Sequence, residues 1–177
     1  DLEMTVKNEY YVNDAGNQIL TFGLSILNEI LKSNEISQSY RNKHFIDSTD
    51  SYKGEYVKLL ANKINNKINL ELNSKDLIQK ITQLAVGEML SNIKEDLSRL
   101  NVNFDEWFHE TKLFEENTLD IVIEKLKQIN LIINKDGATW FLSEGLGDDR
   151  DNVLIKQDSS HTYFFSDIAN HYNKFYI

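Results

Sequence analysis

Glu9-Tyr10-Tyr11-Val12-Asn13-Asp14-Ala15-Gly16-Asn17-Gln18-Ile19 is the stretch whose reading decides the fold. Tyr-Tyr-Val suits a pleated, half-buried surface, so Lys7 to Val12 predicts a strand. Asn13 to Gly16 predicts a turn, in which Asn13 or Asp14 can cap the next helix. From Asn17 to Lys32 the apolar residues Ile19, Leu20, Phe22, Leu24, Ile26, Leu27, Ile30 and Leu31 recur at helical spacing. Their density predicts a helix buried on more than one side.

Beyond this helix, Ser33 to Ser51 is polar and irregular and reads as a loop. Glu55 to Ile68 reads as a second helix. Ser74 suits the N-cap of a long third one, whose stripe is Leu77, Ile78, Ile81, Leu84, Ala85, Met89, Ile93, Leu97 and Leu100. Unbroken, that helix runs about 40 Å at 1.5 Å per residue. Thr118 reads as the cap of a fourth helix. Then the pattern changes. Leu131 to Ile133, Thr139 to Leu142, Val153 to Lys156 and Thr162 to Phe165 are short apolar runs divided by turn residues, and each predicts a strand. Ser166 opens a final helix. Helices followed by strands indicate α+β rather than alternating α/β.

Composition narrows the chemistry. The 177 residues suffice for one domain with or without an appendage. A net charge of −9 argues against a chain whose main task is gripping phosphate backbones. There is no cysteine, which excludes disulfides, thiolate metal sites and a thiolate nucleophile. With no proline either, turns rest on Gly, Asn, Asp and Ser. No apolar run is long enough to span a bilayer, and Asp1 to Thr5 lacks the charged-then-apolar layout of a signal peptide.

Four strings carry a family resemblance. They are the opening stretch; Tyr52-Lys53-Gly54-Glu55-Tyr56-Val57; Phe104-Asp105-Glu106-Trp107-Phe108; and Gly147-Asp148-Asp149-Arg150-Asp151-Asn152-Val153-Leu154-Ile155-Lys156 with Thr162-Tyr163-Phe164-Phe165-Ser166-Asp167-Ile168-Ala169-Asn170-His171. In this order and at about this separation they resemble the bacterial arginyl-tRNA synthetases, which are class I aminoacyl-tRNA synthetases. The resemblance covers nearly all of the chain, and the chain covers only the middle of a synthetase. It implies an α+β fold made of a partial Rossmann-type catalytic fold, interrupted by a mainly helical insertion and followed by short strands. Residues 1–32 are then the end of the first Rossmann half, 33–141 the insertion, and 142–177 the strands and helix that re-enter the catalytic fold.

The function so implied is that of an arginine–tRNA ligase, a cytoplasmic enzyme without a membrane partner. It activates arginine with ATP, used with Mg2+, and transfers the arginyl group to tRNA(Arg). The His-x-Gly-His and Lys-Met-Ser-Lys-like motifs that bind ATP in this class do not occur here. The chain alone is therefore expected to be inactive, to contain no catalytic residue or metal ligand, and to hold no cofactor tightly. A non-catalytic binding or interaction module derived from a synthetase is the alternative.

Site residues stand on two footings. On chemistry alone, Asp167 reads as a carboxylate at a helix N-terminus and Tyr163 as a strand residue. If the chain turns from strand to helix between them, both face one cleft. The resemblance implies that this Tyr-x-x-x-Asp recognises the arginine side chain, since a carboxylate pairs with a guanidinium through two parallel hydrogen bonds. Asn13, Asp14, Gly16 and Gln18 read equally as an active-site turn at a strand's carboxyl end or as a tight turn with a helix cap. Asp148, Asp149 and Asp151 lack the spacing of a calcium loop and read as a solvated acidic turn. The family pattern has arginine where Asn152 stands, glycine for Ser159, proline for Ser166 and tyrosine for Asn170. His44, His109, His161 and His171 lack ligand spacing, and Trp107 and Trp140 read as core anchors.

Overall fold

The computed structural model describes residues 4–34, 52–70 and 74–176. Residues 35–51, most of the expected polar loop, lie outside the described residues, as do His44 and the side chain of Ser74 with its expected capping role. The chain forms two compact units, Asp1–Asn8 with Asp14–Asp105 and Glu9–Asn13 with Glu106–Ile177.

The first unit is helical. Helix α1 spans Asn17–Ser33, α2 Glu55–Asn65 and α3 Ser74–Arg99. Phe22, Ile26, Leu27, Ile30 and Leu31 of α1 meet Val57, Leu60, Ala61 and Ile64 of α2 and Leu77, Ile81 and Ala85 of α3 in one core. Three- and four-residue spacing puts each set on one helix face. Close approach of α1 to α3 requires Gly23: a Cβ there would sit 2.0 Å from Thr82 Oγ1. The Thr82 hydroxyl is buried and, among the described residues, has no hydrogen-bond partner. Tyr52 rejoins α1 through its N–H, which donates to Ser25 Oγ at 2.9 Å, and through edge contact with Phe22. Lys63 and Lys67 of α2 and its C-terminal extension both reach the mostly covered Glu88 carboxylate on α3, at 2.5 and 3.1 Å. Their hydrogen bonds hold it below the usual carboxylate range.

The long stripe of α3 is covered over its first half only. Leu77, Ile81 and Ala85 are fully buried, whereas Ile93 and Leu97 are partly exposed and Leu100 is 73% exposed. The second helix also stops at Asn65, short of the expected Ile68.

The second unit mixes strands and helices. Strand β1, Glu9–Val12, pairs in parallel with β2, Glu106–His109, setting Tyr10 beside Trp107 and Tyr11 beside Phe108. Helices α4, Thr111–Glu115, and α5, Thr118–Gln128, come after β2. An antiparallel sheet comes next, in the order β3 Ile132–Lys135, β4 Ala138–Phe141 and β5 Asn152–Ile155. Asp136 and Gly137, both at positive φ, make the two-residue β3–β4 turn that matches strand twist. Helix α6, Tyr163–Tyr176, closes the unit. Phe108, Leu113, Leu119, Val122, Leu154, Phe165 and Ala169 form its core. The fold is thus α+β.

Four expectations change. Thr162 to Phe165 is not a strand: Tyr163 already begins α6. Gly16, at φ 81°, holds the cap position of α1 rather than Asn13 or Asp14. Asn117, in the left-handed region, precedes α5, and Thr118 is its first helical residue. Trp107 and Trp140 are half-buried rather than core anchors: Trp107 stacks on Tyr10 at 4.4 Å, and Trp140 Nε1 donates to the Lys135 carbonyl at 3.2 Å.

Candidate functional site

The first turn of α6 is fastened before any site residue appears. The Thr162 N–H donates to the Leu154 carbonyl at 2.9 Å, and its hydroxyl donates to the Val153 carbonyl at 2.8 Å. The same oxygen accepts from the Phe165 N–H at 3.3 Å, the N-cap to N3 arrangement. Phe165, Ser166, Ala169 and Asn170 then face inwards. At the far end Lys174 Nζ pairs with Glu9 Oε1 at 2.8 Å and Asn170 Nδ2 donates to the same oxygen, tying α6 to β1.

Tyr163 and Asp167 lie on the opposite face, both exposed, Tyr163 to 58%. They are brought together by helical spacing, since residues four apart share a face. The strand-to-helix turn expected between them is replaced by one continuous helix. Asp167 is the outer residue of its turn, and its carbonyl lies 2.8 Å from His171 Nδ1.

The turn residues divide between the units. Asn13 is exposed and follows β1 in the unit that holds Tyr163 and Asp167; Asp14, Gly16 and Gln18 belong to the helical unit. Nothing within 4 Å would meet a Cβ at Gly16, so its positive φ, not crowding, is what favours glycine there.

Glu110 was not legible as a site residue. Its N–H donates to the Val12 carbonyl at 3.0 Å, which sets it next to Asn13 at the carboxyl ends of the parallel strands β1 and β2. Ligands gather at such strand ends. It is only 4% exposed, and among the described residues its carboxylate has no ion pair or hydrogen bond. Its carboxylate oxygens are not among the buried side-chain atoms that lack a partner, so they keep contact with solvent at these strand ends. The landmark Phe104 to Phe108 runs to within two residues of it, and its burial is a tertiary property that no local pattern carries.

The acidic turn is internally bonded. Asn152 Nδ2 donates to Ser143 Oγ at 2.9 Å and to Asp148 Oδ2 at 2.8 Å, Ser143 donates to the Arg150 carbonyl, and Asp151 Oδ1 accepts the Glu144 N–H. Asn152, standing where the family pattern has arginine, stitches this loop. Among the described residues no three His, Cys, Asp or Glu converge as metal ligands, and no helix is long and apolar enough to cross a membrane.

No family model matches the sequence. Individual proteins do. The chain is 36% identical over 174 residues to an arginine–tRNA ligase of Desulfosudis oleivorans, covering 96% of this chain and 30% of that protein. It is 32% identical over 201 residues to the arginine–tRNA ligase of Aquifex aeolicus, covering 96% of this chain and 34% of that protein. A solved structure described as an arginyl-tRNA synthetase from Campylobacter jejuni superimposes with a TM-score of 0.78 at 34% identity, over 94% of this chain and 35% of that one. The Plasmodium falciparum arginyl-tRNA synthetase shares the fold, with a TM-score of 0.60 at 18% identity over 98% of this chain and 28% of that one. The chain thus spans about a third of the length of the relatives it matches, and across that span it belongs to the arginine–tRNA ligase family.

Proposed function

We propose that this chain supplies part of the arginine pocket of an arginine–tRNA ligase, and that its helical segment lies near the acceptor end of the tRNA. The observation that carries the pocket is the placement of Tyr163 and Asp167 one turn apart on the outward face of α6. A guanidinium is planar, permanently charged and presents five N–H donors. Asp167 accepts two of them in parallel, and Tyr163 packs against the planar face or hydrogen-bonds beside it. Glu110, just beyond the carboxyl ends of β1 and β2 in the same unit, offers a second carboxylate for the same charge.

The parent enzyme forms arginyl-adenylate from arginine and ATP with Mg2+, then passes the arginyl group to the 2′-hydroxyl at the tRNA end, in the cytoplasm. This chain's part is selection and orientation of arginine, with Asn13, Asp14, Gly16 and Gln18 forming an active-site turn. In the layout we propose, residues 1–32 end the first Rossmann half, 33–141 form the insertion and 142–177 re-enter the catalytic fold. The parallel pairing of β1 with β2 is in keeping with a Rossmann sheet, because parallel strands ordinarily lie inside one. It also draws residues 106–109 of the middle segment to the sheet.

Asp167→Asn in the full-length enzyme tests the pocket. The exposed side chain is dispensable for folding, while loss of one partner of a desolvated charge pair costs about 2–5 kcal/mol of arginine binding. A Michaelis constant for arginine equal to that of the wild type would remove Asp167 from the pocket.

A further inference from the structure

His161 immediately precedes the cap of α6 and is not a residue that the family signature assigns. Its ring centroid lies 5.5 Å from that of Phe114 on α4 and 5.4 Å from that of the fully buried Phe165 on α6, the second contact edge-on. Its backbone pairs with Ile155 at the end of β5. One side chain therefore touches the element that begins just after Glu110 and the element that carries Tyr163 and Asp167. We propose that His161 is a positioning residue: its neutral ring, exposed to solvent but resting against both Phe114 and Phe165, holds the first turn of α6 against α4, so that arginine capture weakens when the ring takes up a proton. This rests on the arginine-pocket reading.

The groups around the ring fix the sign. From α4 and α6 it meets phenyl rings, from β5 the backbone of Ile155, and from α5 the charge of Asp120. His161 remains exposed on its outer side, but the partial cover of the two phenyl rings pushes the imidazole below its ordinary pKa of 6.5, and Asp120 opposes this without reversing it. A lowered pKa in the packed state means that this state prefers the neutral ring. Its stabilisation is complete above the ordinary value and is lost as pH falls through that value towards the lowered one.

Steady-state kinetics of the full-length enzyme between about pH 5.5 and pH 8 tests this with H161F, H161Q and D167N. Wild type should show a several-fold rise in the arginine Michaelis constant on the acid side, with kcat changed less. H161F keeps an aromatic ring that cannot titrate, so it should match wild type at neutral pH and lose the acid-side rise. H161Q removes the ring and should raise the constant throughout. An acid-side rise in H161F equal to that of wild type would overturn the proposal. If D167N leaves the constant unchanged, the arginine reading fails first. The positioning role then stands or falls on an NMR titration of the enzyme labelled at His and Tyr. There His161 should titrate below 6.5, with the Tyr163 resonances following the same midpoint. A Tyr163 signal indifferent to that midpoint would overturn it.

Discussion

Ser159 illustrates how one residue departs from what its backbone asks. It sits at φ 64° in the turn between β5 and α6, a conformation that costs an L-residue roughly 1–2 kcal/mol and glycine almost nothing. Ser159→Gly should therefore stabilise the fold by about 0.5–1 kcal/mol, the larger entropy of unfolded glycine offsetting part of the relief. Thermal or denaturant unfolding measures it. The reverse geometry holds at Gly23. An alanine there gains about 1 kcal/mol of helix propensity but drives a methyl into Thr82 Oγ1, whose β-branched side chain has little rotamer freedom in α3. Overpacking of this kind costs about 1–3 kcal/mol, so Gly23→Ala should be destabilising on its own and clearly less so in a Thr82→Ala background, where the residue-82 Cβ, 3.1 Å away, is still in close contact. Equal effects in both backgrounds would mean that α1 and α3 do not approach at this point. Both features lie in backbone angle and packing. The sequence does mark Ser159 as the odd residue of its turn, but Gly23 looks like any other glycine within a helix.

At the scale of elements, the long helices and the four short strands β1, β3, β4 and β5 were legible, and β2 and α4 were not. Helices α1, α2 and α3 declare themselves because an apolar stripe at helical period is a local signal. Strand β2 and helix α4 hold four and five residues, too few to establish a period. The segment Thr162 to Phe165 misleads because aromatic residues favour strands, while the deciding facts are the Thr162 hydroxyl capping Phe165 and the descent of Phe165 and Ala169 into the core. Such capping predicts a cost of about 0.5–2 kcal/mol for Thr162→Ala, together with a poorer arginine Michaelis constant, since the cap holds the turn that bears Tyr163. A loss of stability with arginine binding untouched would separate the cap from the pocket. Helix α3 makes a further prediction. Its stripe is apolar to Leu100 but covered only to about Ala85, so amide exchange should be slowest from Leu77 to Ala85 and fast from Ile93 onwards. Uniform protection along α3 would mean that another surface covers its second half.

The whole molecule brings together what the residues and elements prepare: a helical unit whose core closes on itself, and a mixed unit that carries Tyr163, Asp167 and Glu110. The pair on α6 was legible only through the family resemblance, because a tyrosine and an aspartate four apart are common on any helix. Glu110 was hidden because its burial depends on the pairing of β2 with β1 across nearly a hundred residues of chain. The purified chain should catalyse no arginine-dependent exchange of pyrophosphate into ATP, since it lacks the motifs that place donors on phosphate. The central claim, that Asp167 reads the charge of the arginine side chain, is tested most directly by charge discrimination. Adenylate formation by the full-length enzyme would be measured with arginine and with citrulline, its neutral isostere, for wild type and Asp167→Asn. The substitution is predicted to lower kcat/KM for arginine by roughly a hundredfold, or about 3 kcal/mol, and to erase most of the preference over citrulline. An unchanged preference in the variant would contradict the claim.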